Sequence, residues 1–361
     1  MNPYSTKLAE AFAAQIIKIY FEVDVTPKIT NSNYEGQIKD KATVCNILTL
    51  GGVTRQPYTG SAMTPQALLE SNGQLKTDQG SGYYFTVTSL EVLKSFIKNP
   101  EGDILEKLEG QLREEIDGYV LAFWPDVAAG NRVDTDYSTG DITITDVTGA
   151  LVGNGTTLVS AMVGRGIKAV GHSKWYRLKS ISSTTAGYVE NDEDDVTSHY
   201  GGGTITSADY VLEAATAIQL TKANIYEYLL ALFTKLNKTK TPKTNRWVVV
   251  PSEIGSLIKL APEYIPAVPS AYEDVVKNGF IVKMAGFMVY ENEEVAGDAV
   301  NGWHIMAGHP SAITFGMAMT DSHVEPFVTG NSGKGYVGIN VYGAKVVDER
   351  RKALAELFGK L

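Results

Sequence analysis

The pattern of residues along the chain predicts five helices, one of them a short helix that begins at Pro251-Ser252. Apolar positions recur every three or four residues over 5–22, 101–124 and 222–237, so each stretch has one apolar and one polar face. The stretch 101–124 has the strongest pattern and predicts a spine helix about 36 Å long that ends at Pro125. The last residues, DERRKALAELFGKL (348–361), are expected to close the chain as a helix.

Runs of β-branched residues predict strands between these helices. Residues 42–50 and 83–88 form two such runs, separated by a segment rich in Gly, Thr, Gln, Ser and Pro. A segment this poor in apolar residues is too long for an ordinary loop within a domain, so we expect another chain to supply the surface on which it packs. Further strands are expected at 247–250 and at 335–347, where Val337, Ile339 and Val341 share one face.

A different pattern occupies residues 128–219. Short alternating runs recur there between clusters of Gly, Ser, Thr, Asn and Asp, which predicts a small all-β module. The module interrupts a chain that otherwise alternates helix and strand, and insertion at an exposed loop is the tolerated way to do this. The sequence therefore predicts an α+β fold with one split domain and one inserted domain.

Composition excludes several classes of protein. The chain has 361 residues with 43% hydrophobic residues, and its net charge of −9 argues against broad phosphate neutralisation. No apolar run approaches the roughly 20 residues of a membrane span, and the N-terminus lacks the plan of a signal peptide. The single cysteine, Cys45, excludes an internal disulfide and falls in a strand pattern typical of a small buried hydrophobe.

Motifs for catalysis, metals and cofactors are missing from the sequence. The histidines (His172, His199, His304, His309 and His323) show no zinc spacing. GHSKW (171–175) and GNSGKG (330–335) are interpreted as turns, and GRGIKAVG (164–171) lacks the helix of a dinucleotide site. We therefore expect no enzyme activity, and assign no catalytic, cofactor-binding or metal-binding residues.

Two charged groups allow more than one interpretation. The acidic run at 190–195 could hold Ca²⁺ but lacks the ligand order of an EF-hand, and a solvated loop is the alternative. The basic residues at 235–246 and at Arg350, Arg351 and Lys352 could touch phosphates, but they lie at predicted element ends, where cations favour the helix dipole.

Several segments, in order, resemble the major capsid proteins of tailed phages, and more narrowly the P22-like branch of the HK97 fold. The segments that carry this resemblance are YEGQIKDKATVCNIL (34–48), LKTDQGSGYYFTVTSLE (75–91), RWVVVPSEIGSLIKL (246–260), NGFIVKMAGFMVYENEEV (278–295), HPSAITFGM (309–317) and YVGINVYGAKVVDERRKAL (336–354). Together with the two central helices they cover about 250 residues, and the module at 128–219 departs from the minimal pattern.

The resemblance implies a domain plan for the chain. It comprises an N-terminal arm or helix (1–33), an extended β-hairpin loop with a long spine helix (34–127), the inserted all-β domain (128–219) and the rest of the capsid fold (220–361). Within the last part, an axial domain is expected at about 246–330, and a peripheral strand and C-terminal helix at 335–361. The arms of the loop, 42–50 and 74–88, would lie over a neighbouring subunit.

The resemblance also implies a function. The expected role is self-assembly, through hexamers and pentamers, into an icosahedral shell around double-stranded DNA without sequence-specific binding. Scaffold, portal and decoration proteins are the expected partners, with assembly in the host cytoplasm, residence in the virion and no membrane. The alternatives are an encapsulin-like compartment shell, and a glycan-binding or hydrolytic protein that acts through Trp175, Tyr176 and Tyr188 of the module.

Overall fold

The computed structural model describes residues 25–32, 44–50, 70–88, 100–192, 200–261, 283–326 and 333–361. The chain divides into two units, each built from segments that are distant in sequence. Unit one takes its described residues from Met1–Pro27, Asn31–Arg113 and Ile313–Glu349; unit two takes them from Lys28–Thr30, Glu114–Ala312 and Arg350–Leu361. The helix predicted at 5–22 lies outside the described residues.

The helices of the described residues are α1 (Thr26–Ile29), α2 (Pro100–Leu121), α3 (Ile225–Lys238) and α4 (Ser252–Lys259). The long helix expected at 101–124 is confirmed as α2, whose Leu112, Ile116 and Val120 are buried. A 3₁₀ turn at Trp124–Asp126 follows it, because Pro125 cannot continue an α-helix. Helix α3 begins close to its predicted start.

Unit one contains two small antiparallel sheets. One pairs β1 (Val44–Leu50) with β2 (Glu70–Lys76), and the other has the order β18–β19–β3. The strands of this three-stranded sheet are β3 (Gln79–Thr88), β18 (Ile313–Pro326) and β19 (Gly333–Val346). At about 3.4 Å per residue, the two 14-residue strands each extend over roughly 48 Å. Such strands provide a long sheet surface.

Within unit two, eight strands between Asp136 and Glu213 form one sheet, which is named the β domain here. Its strands are β5 (Asp136–Tyr137), β6 (Asp141–Ile144), β7 (Ala150–Asn154), β8 (Gly166–Ala169), β9 (Tyr176–Ser183), β10 (Ala186–Asn191), β11 (Ile205–Ala208) and β12 (Tyr210–Glu213), in the order β11–β6–β7–β10–β9–β8–β12–β5. Their inward side chains form a separate apolar core that includes Leu151, Ile167, Leu178 and Leu212. All of these strands lie within the range predicted to be an all-β module.

The remaining strands of unit two form a second sheet, named the mixed sheet here. Its strands are β4 (Arg132–Val133), β13 (Ile218–Gln219), β14 (Trp247–Val250), β15 (Met288–Glu291), β16 (Gly297–Asp298), β17 (Gly302–Gly308) and β20 (Leu354–Lys360). They are arranged in the order β13–β20–β17–β14–β15, and in addition β16 pairs with β17 and β4 pairs with β20. Every residue of β14 is buried, as the run of apolar residues predicted.

The predicted C-terminal helix is wrong. Residues 348–353 form a 3₁₀ turn and Leu354–Lys360 form β20, an interior strand of the mixed sheet. Leu354, Ala355 and Leu357 are fully buried, and β20 bonds to β17 on one side and to β13 and β4 on the other. Leu, Ala, Glu and Lys favour a helix in isolation, but burial on both faces and ladder bonds on both edges override that weak preference.

Candidate assembly elements and the ionic junction

The first candidate assembly element is the antiparallel pair β1–β2. Its register joins seven residue pairs, from Val44 with Lys76 to Leu50 with Glu70. Cys45 lies opposite Leu75, and both side chains are buried, in accordance with the prediction that Cys45 is a small hydrophobe. The second arm expected at 74–88 is in fact divided, since β2 pairs with β1 whereas β3 belongs to the three-stranded sheet.

The second element is the outer face of the three-stranded sheet. Tyr84 on β3 pairs with Val337 on β19, and Ile339 lies two positions further along the same face. Tyr84 is 65% exposed and Ile339 is 44% exposed, so this face carries apolar side chains in solvent. The opposite face of β19 is the buried one. Tyr336, Tyr342, Ala344 and Val346 lie on it.

The third feature lies where the β domain meets the mixed sheet. Six ionisable side chains converge there, and together they are named the ionic junction: Arg132, Asp134, Arg165, Glu213, His304 and Glu356. At its centre, Glu356 on β20 is fully buried. The Nε of Arg132 and the Nη1 of Arg165 lie 3.2 and 3.1 Å from its Oε2, and the Nδ1 of His304 lies 2.6 Å from its Oε1.

Aromatic rings enclose this centre. The imidazole of His304 lies between the rings of Trp124 and Phe358, with centroids 3.6 and 4.3 Å away and nearly parallel planes. The guanidinium of Arg165 lies 5.5 and 5.8 Å from the same two ring centroids. Stacked rings exclude water and hold the imidazole and the guanidinium in place, which strengthens the electrostatic attraction of Arg165 to Glu356.

The β domain contributes Glu213 to the junction. Its two carboxylate oxygens accept hydrogen bonds from the backbone N–H groups of Gly130 (2.7 Å) and Gly166 (2.9 Å). A side chain at Gly166 would lie within 3 Å of Glu213 and of the Ala129 side chain, so this close approach requires glycine. Glu213 therefore connects the segment that leads into the β domain, at Gly130, with the start of strand β8, at Gly166.

The three carboxyl groups of the junction have displaced pKa values. Burial raises the pKa of Glu213, against the influence of Arg132 and of its backbone donors. Burial alone would also raise the pKa of Glu356, but the contact with His304 and the charges of Arg165 and Arg132 outweigh it and lower that pKa. Burial, helped by the nearby charge of Glu213, raises the pKa of Asp134 to about 7, against the attraction of Arg165.

The histidines singled out in the sequence have separate surroundings. His304 belongs to the ionic junction, whereas the Nδ1 of His309 lies 2.8 Å from the Ser311 hydroxyl. His172 is exposed in the turn that follows β8. His323 lies in β18, and His199 is outside the described residues. The segment GRGIKAVG contains β8 and continues into a turn. The first half of GNSGKG, 330–332, lies outside the described part of the chain, whereas its second half begins β19 and is therefore strand where a turn was predicted.

The acidic run expected at 190–195 is described only through Asp192. Glu190 pairs with Lys179 at 3.2 Å. The carboxylate of Asp192 accepts a bond from the Ala129 N–H at 2.6 Å and pairs with Arg177 at 3.1 Å. Where the structure describes the chain, it groups no three potential metal ligands. The two described carboxylates thus have structural partners.

One arginine from each predicted basic group binds backbone carbonyls. Arg246 is buried, donates to the carbonyls of Pro242 and Thr241, and lies over the ring of Phe233 at 4.6 Å. Arg351 donates to the carbonyl of Asp126 at 2.8 Å. These two cations close loops of unit two.

The aromatic residues of the glycan-binding alternative do not form one surface. Tyr176 is buried in the core of the β domain, with its ring 4.8 Å from that of Tyr200. Tyr188 is 46% exposed on the outer face of β10. Trp175 packs against Gly130. A flat platform of stacked aromatic rings, which sugar binding would need, is therefore not built from these three residues.

Comparison with known proteins gives a result at the level of structure. No family model matches the chain, and no curated protein matches its sequence. A chain of the solved structure of Mycobacterium phage Che8 is similar, with 15% identity and a TM-score of 0.53 over 93% of this chain and 91% of that one. The match to the capsid structure of the cyanophage P-SCSP1u covers 91% of this chain and 85% of that one, with 10% identity and a TM-score of 0.49. The match to the capsid of the native GTA particle covers 89% of this chain and 86% of that one, with 11% identity and a TM-score of 0.47.

The Che8 match places the chain in a fold class. Over nearly the whole length of both chains, this mixed fold of helices and sheets is the fold of a phage protein. The resemblance to phage proteins predicted from the sequence is therefore confirmed as a likeness in fold. Across the described part of the chain, no helix has the length and apolar character needed to cross a membrane.

Proposed function

We propose that this chain is the major capsid protein of a tailed phage, a structural protein and not an enzyme. Copies of it would close into an icosahedral shell around double-stranded DNA. The observation that carries the proposal is the fold shared with the Che8 phage chain, which extends over 93% of this chain. Closed shells of this kind require repeated heterologous contacts between identical subunits.

The finer structural assignment is the HK97 fold of the P22-like branch, with the β domain as an insertion. The place where the chain enters and leaves the β domain supports the insertion. Asp136 on β5 pairs with Glu213 on β12, and Ala214 donates its N–H to the carbonyl of Thr135. Both ends of the domain therefore lie side by side, the geometry that allows a domain to be added without separating the elements on either side.

The proposed principal partner is a second copy of the same chain, arranged in hexamers and pentamers. The apolar side chains exposed on the three-stranded sheet, including Tyr84 and Ile339, support this proposal, because contiguous apolar surface of this kind marks protein contacts. Many modest contacts per subunit together suffice for a stable shell. Scaffold, portal and decoration proteins complete the proposed set of partners.

The net charge of −9 suits the proposed enclosure of DNA. An acidic wall gains little from phosphate contacts, so DNA can be packed and released without tight binding. The proposed location of the protein is the host cytoplasm during assembly and the virion afterwards. The chain is then a container for DNA and recognises no base sequence.

Expression of the chain alone and together with the neighbouring genes of its source genome tests the proposal. Light scattering and sedimentation should show closed shells or capsomer rings in at least one preparation. Persistent monomers in every preparation, over a range of salt and protein concentration, would contradict it.

A further inference from the structure

Asp134 is the least compensated carboxyl group of the ionic junction. Its side chain is fully buried, and its Oδ2 accepts a hydrogen bond from the Ala215 N–H at 3.1 Å. The Nη1 of Arg165 lies 3.6 Å from this oxygen, whereas the same nitrogen donates to Glu356 at 3.1 Å. The Oδ1 of Asp134 has no hydrogen-bond partner among the described residues.

Three charged side chains act directly on Asp134, namely Glu213 on β12, Arg165 just before β8 and Glu356 on β20. The other titratable groups of the junction face these partners: Arg132 on β4 and His304 on β17 contact Glu356, and Lys235 on α3 acts on Glu213 and donates from its Nζ to the carbonyl of Arg132 at 2.8 Å. Arg132 and Arg165 both pair with Glu356, and Glu213 is held by backbone donors. An ionised Asp134 would therefore depend on the guanidinium of Arg165, which already has a closer partner in Glu356.

We propose that the ionic junction is a proton-dependent latch between the β domain and the mixed sheet. In the closed junction Asp134 holds a proton, and loss of that proton loosens the packing. A buried carboxyl oxygen without a donor is far less costly as part of a neutral carboxyl group than as part of an ion. Once Asp134 ionises, its charge also repels the nearby carboxylates of Glu213 and Glu356.

The direction of the pH dependence follows from this burial. The pKa of Asp134 is about 7 in the folded chain and about 3.8 when the chain is unfolded. The folded state therefore binds the proton more tightly, and its contribution to stability is complete below pH 3.8 and is lost as the pH rises towards 7. The latch is closed in acid and weakened above neutral pH. This inference concerns the single chain and does not rest on the proposed function.

Thermal unfolding of the full chain at pH 5.5 and 8.5 tests the latch. Asp134→Asn keeps the shape of the side chain and stays neutral at every pH. The melting temperature of the variant minus that of wild type should therefore be at least about 3 °C higher at pH 8.5 than at pH 5.5. Asp209→Asn is the matched control, because Asp209 is exposed in the same β domain and should give a constant difference. The same pH dependence for wild type and Asp134→Asn would overturn the proposal.

Infrared spectroscopy gives a second measurement that needs no unfolding. Wild-type chain labelled with ¹³C-aspartate should show a protonated carboxyl band at pH 6 that disappears by pH 8.5 and is absent from Asp134→Asn. If that variant does not fold, Asp192→Asn replaces it, since Asp192, a largely buried aspartate that follows β10, also has a pKa that burial raises. The band must persist in Asp192→Asn. Its loss there, or its absence from wild type at pH 6, would overturn the proposal.

Discussion

Glu356 shows how one residue can connect two sheets. Its carboxylate is buried in the mixed sheet and pairs with Arg165 of the β domain, with Arg132 and with His304. Buried ion pairs gain little net stability when intact, because desolvation offsets the attraction. Removing one partner is different, since the remaining charges stay buried without compensation.

Glu356→Gln should therefore lower the free energy of unfolding by about 3 to 5 kcal/mol at neutral pH. Urea unfolding followed by circular dichroism measures the change. Glu253→Gln is the matched control, because Glu253 is exposed in the first turn of α4 and should change stability by less than about 0.5 kcal/mol. Equal effects of the two substitutions would show that the junction does not hold the sheets together.

The lowered pKa of Glu356 adds a dependence on acid. A carboxyl group whose folded pKa lies below its unfolded value of 4.5 stabilises the fold above that pH and loses its contribution as the pH falls. We expect the difference in unfolding free energy between wild type and Glu356→Gln to shrink as the pH is lowered below 4.5. A difference that stays constant down to pH 3 would contradict this assignment.

None of these junction partners could be paired from the sequence. Arg132, Arg165, Glu213 and Glu356 are separated by tens of residues or more, and their proximity depends on how the two sheets fold. A signal was nevertheless present. Glu356 interrupts the apolar run LAELF, and a charged residue within such a run is often paired when it is buried. The sequence could thus indicate a buried charge without identifying its partners.

At the scale of elements, the local patterns succeeded where one face of an element is buried. The stripe on α2 and the turn-rich alternation of the β domain predicted the right structures because burial repeats at the helical or strand period. The pattern failed for β20, which is buried on both faces and therefore has no alternation. A short apolar run without alternation fits a helix equally well. The helix-forming residues Leu, Ala, Glu and Lys of this run therefore led to the wrong prediction of a helix.

Glycines in the three-stranded sheet provide a test of how closely its strands pack. A Cβ added at Gly338 would overlap the ring of Tyr83, its partner across the sheet, whereas one at Gly82 would meet its neighbours at 3.5 Å or more. Gly338→Ala should cost about 1 to 3 kcal/mol because the tyrosine ring must move. Gly82→Ala, on the next strand, is the control and should fold with nearly wild-type stability, as measured by thermal unfolding.

The insertion of the β domain predicts that it can fold alone. Its ends pair with each other through Asp136 and Glu213, and it has a core of its own. A fragment of residues 134–216 should give a cooperative thermal transition and dispersed amide signals in its NMR spectrum. The same fragment with Leu178→Asp, a change in the middle of this core, should not. An unfolded wild-type fragment would mean that the domain depends on the mixed sheet.

The proposed assembly of copies of this chain into a closed shell concerns the whole molecule. It would give a role to two features of unit one, namely its long strands and the apolar side chains exposed on its three-stranded sheet. The Che8 phage chain has the same fold. Shape alone does not determine function, so assembly itself has to be observed.

Electron cryo-microscopy of particles from cells that express the chain with its neighbouring genes is the most direct test. We expect closed icosahedral particles whose repeating density fits the three-stranded sheet, the mixed sheet and the β domain of this chain. The chain purified as a monomer from the same cells, with no particles that contain it, would contradict the claim.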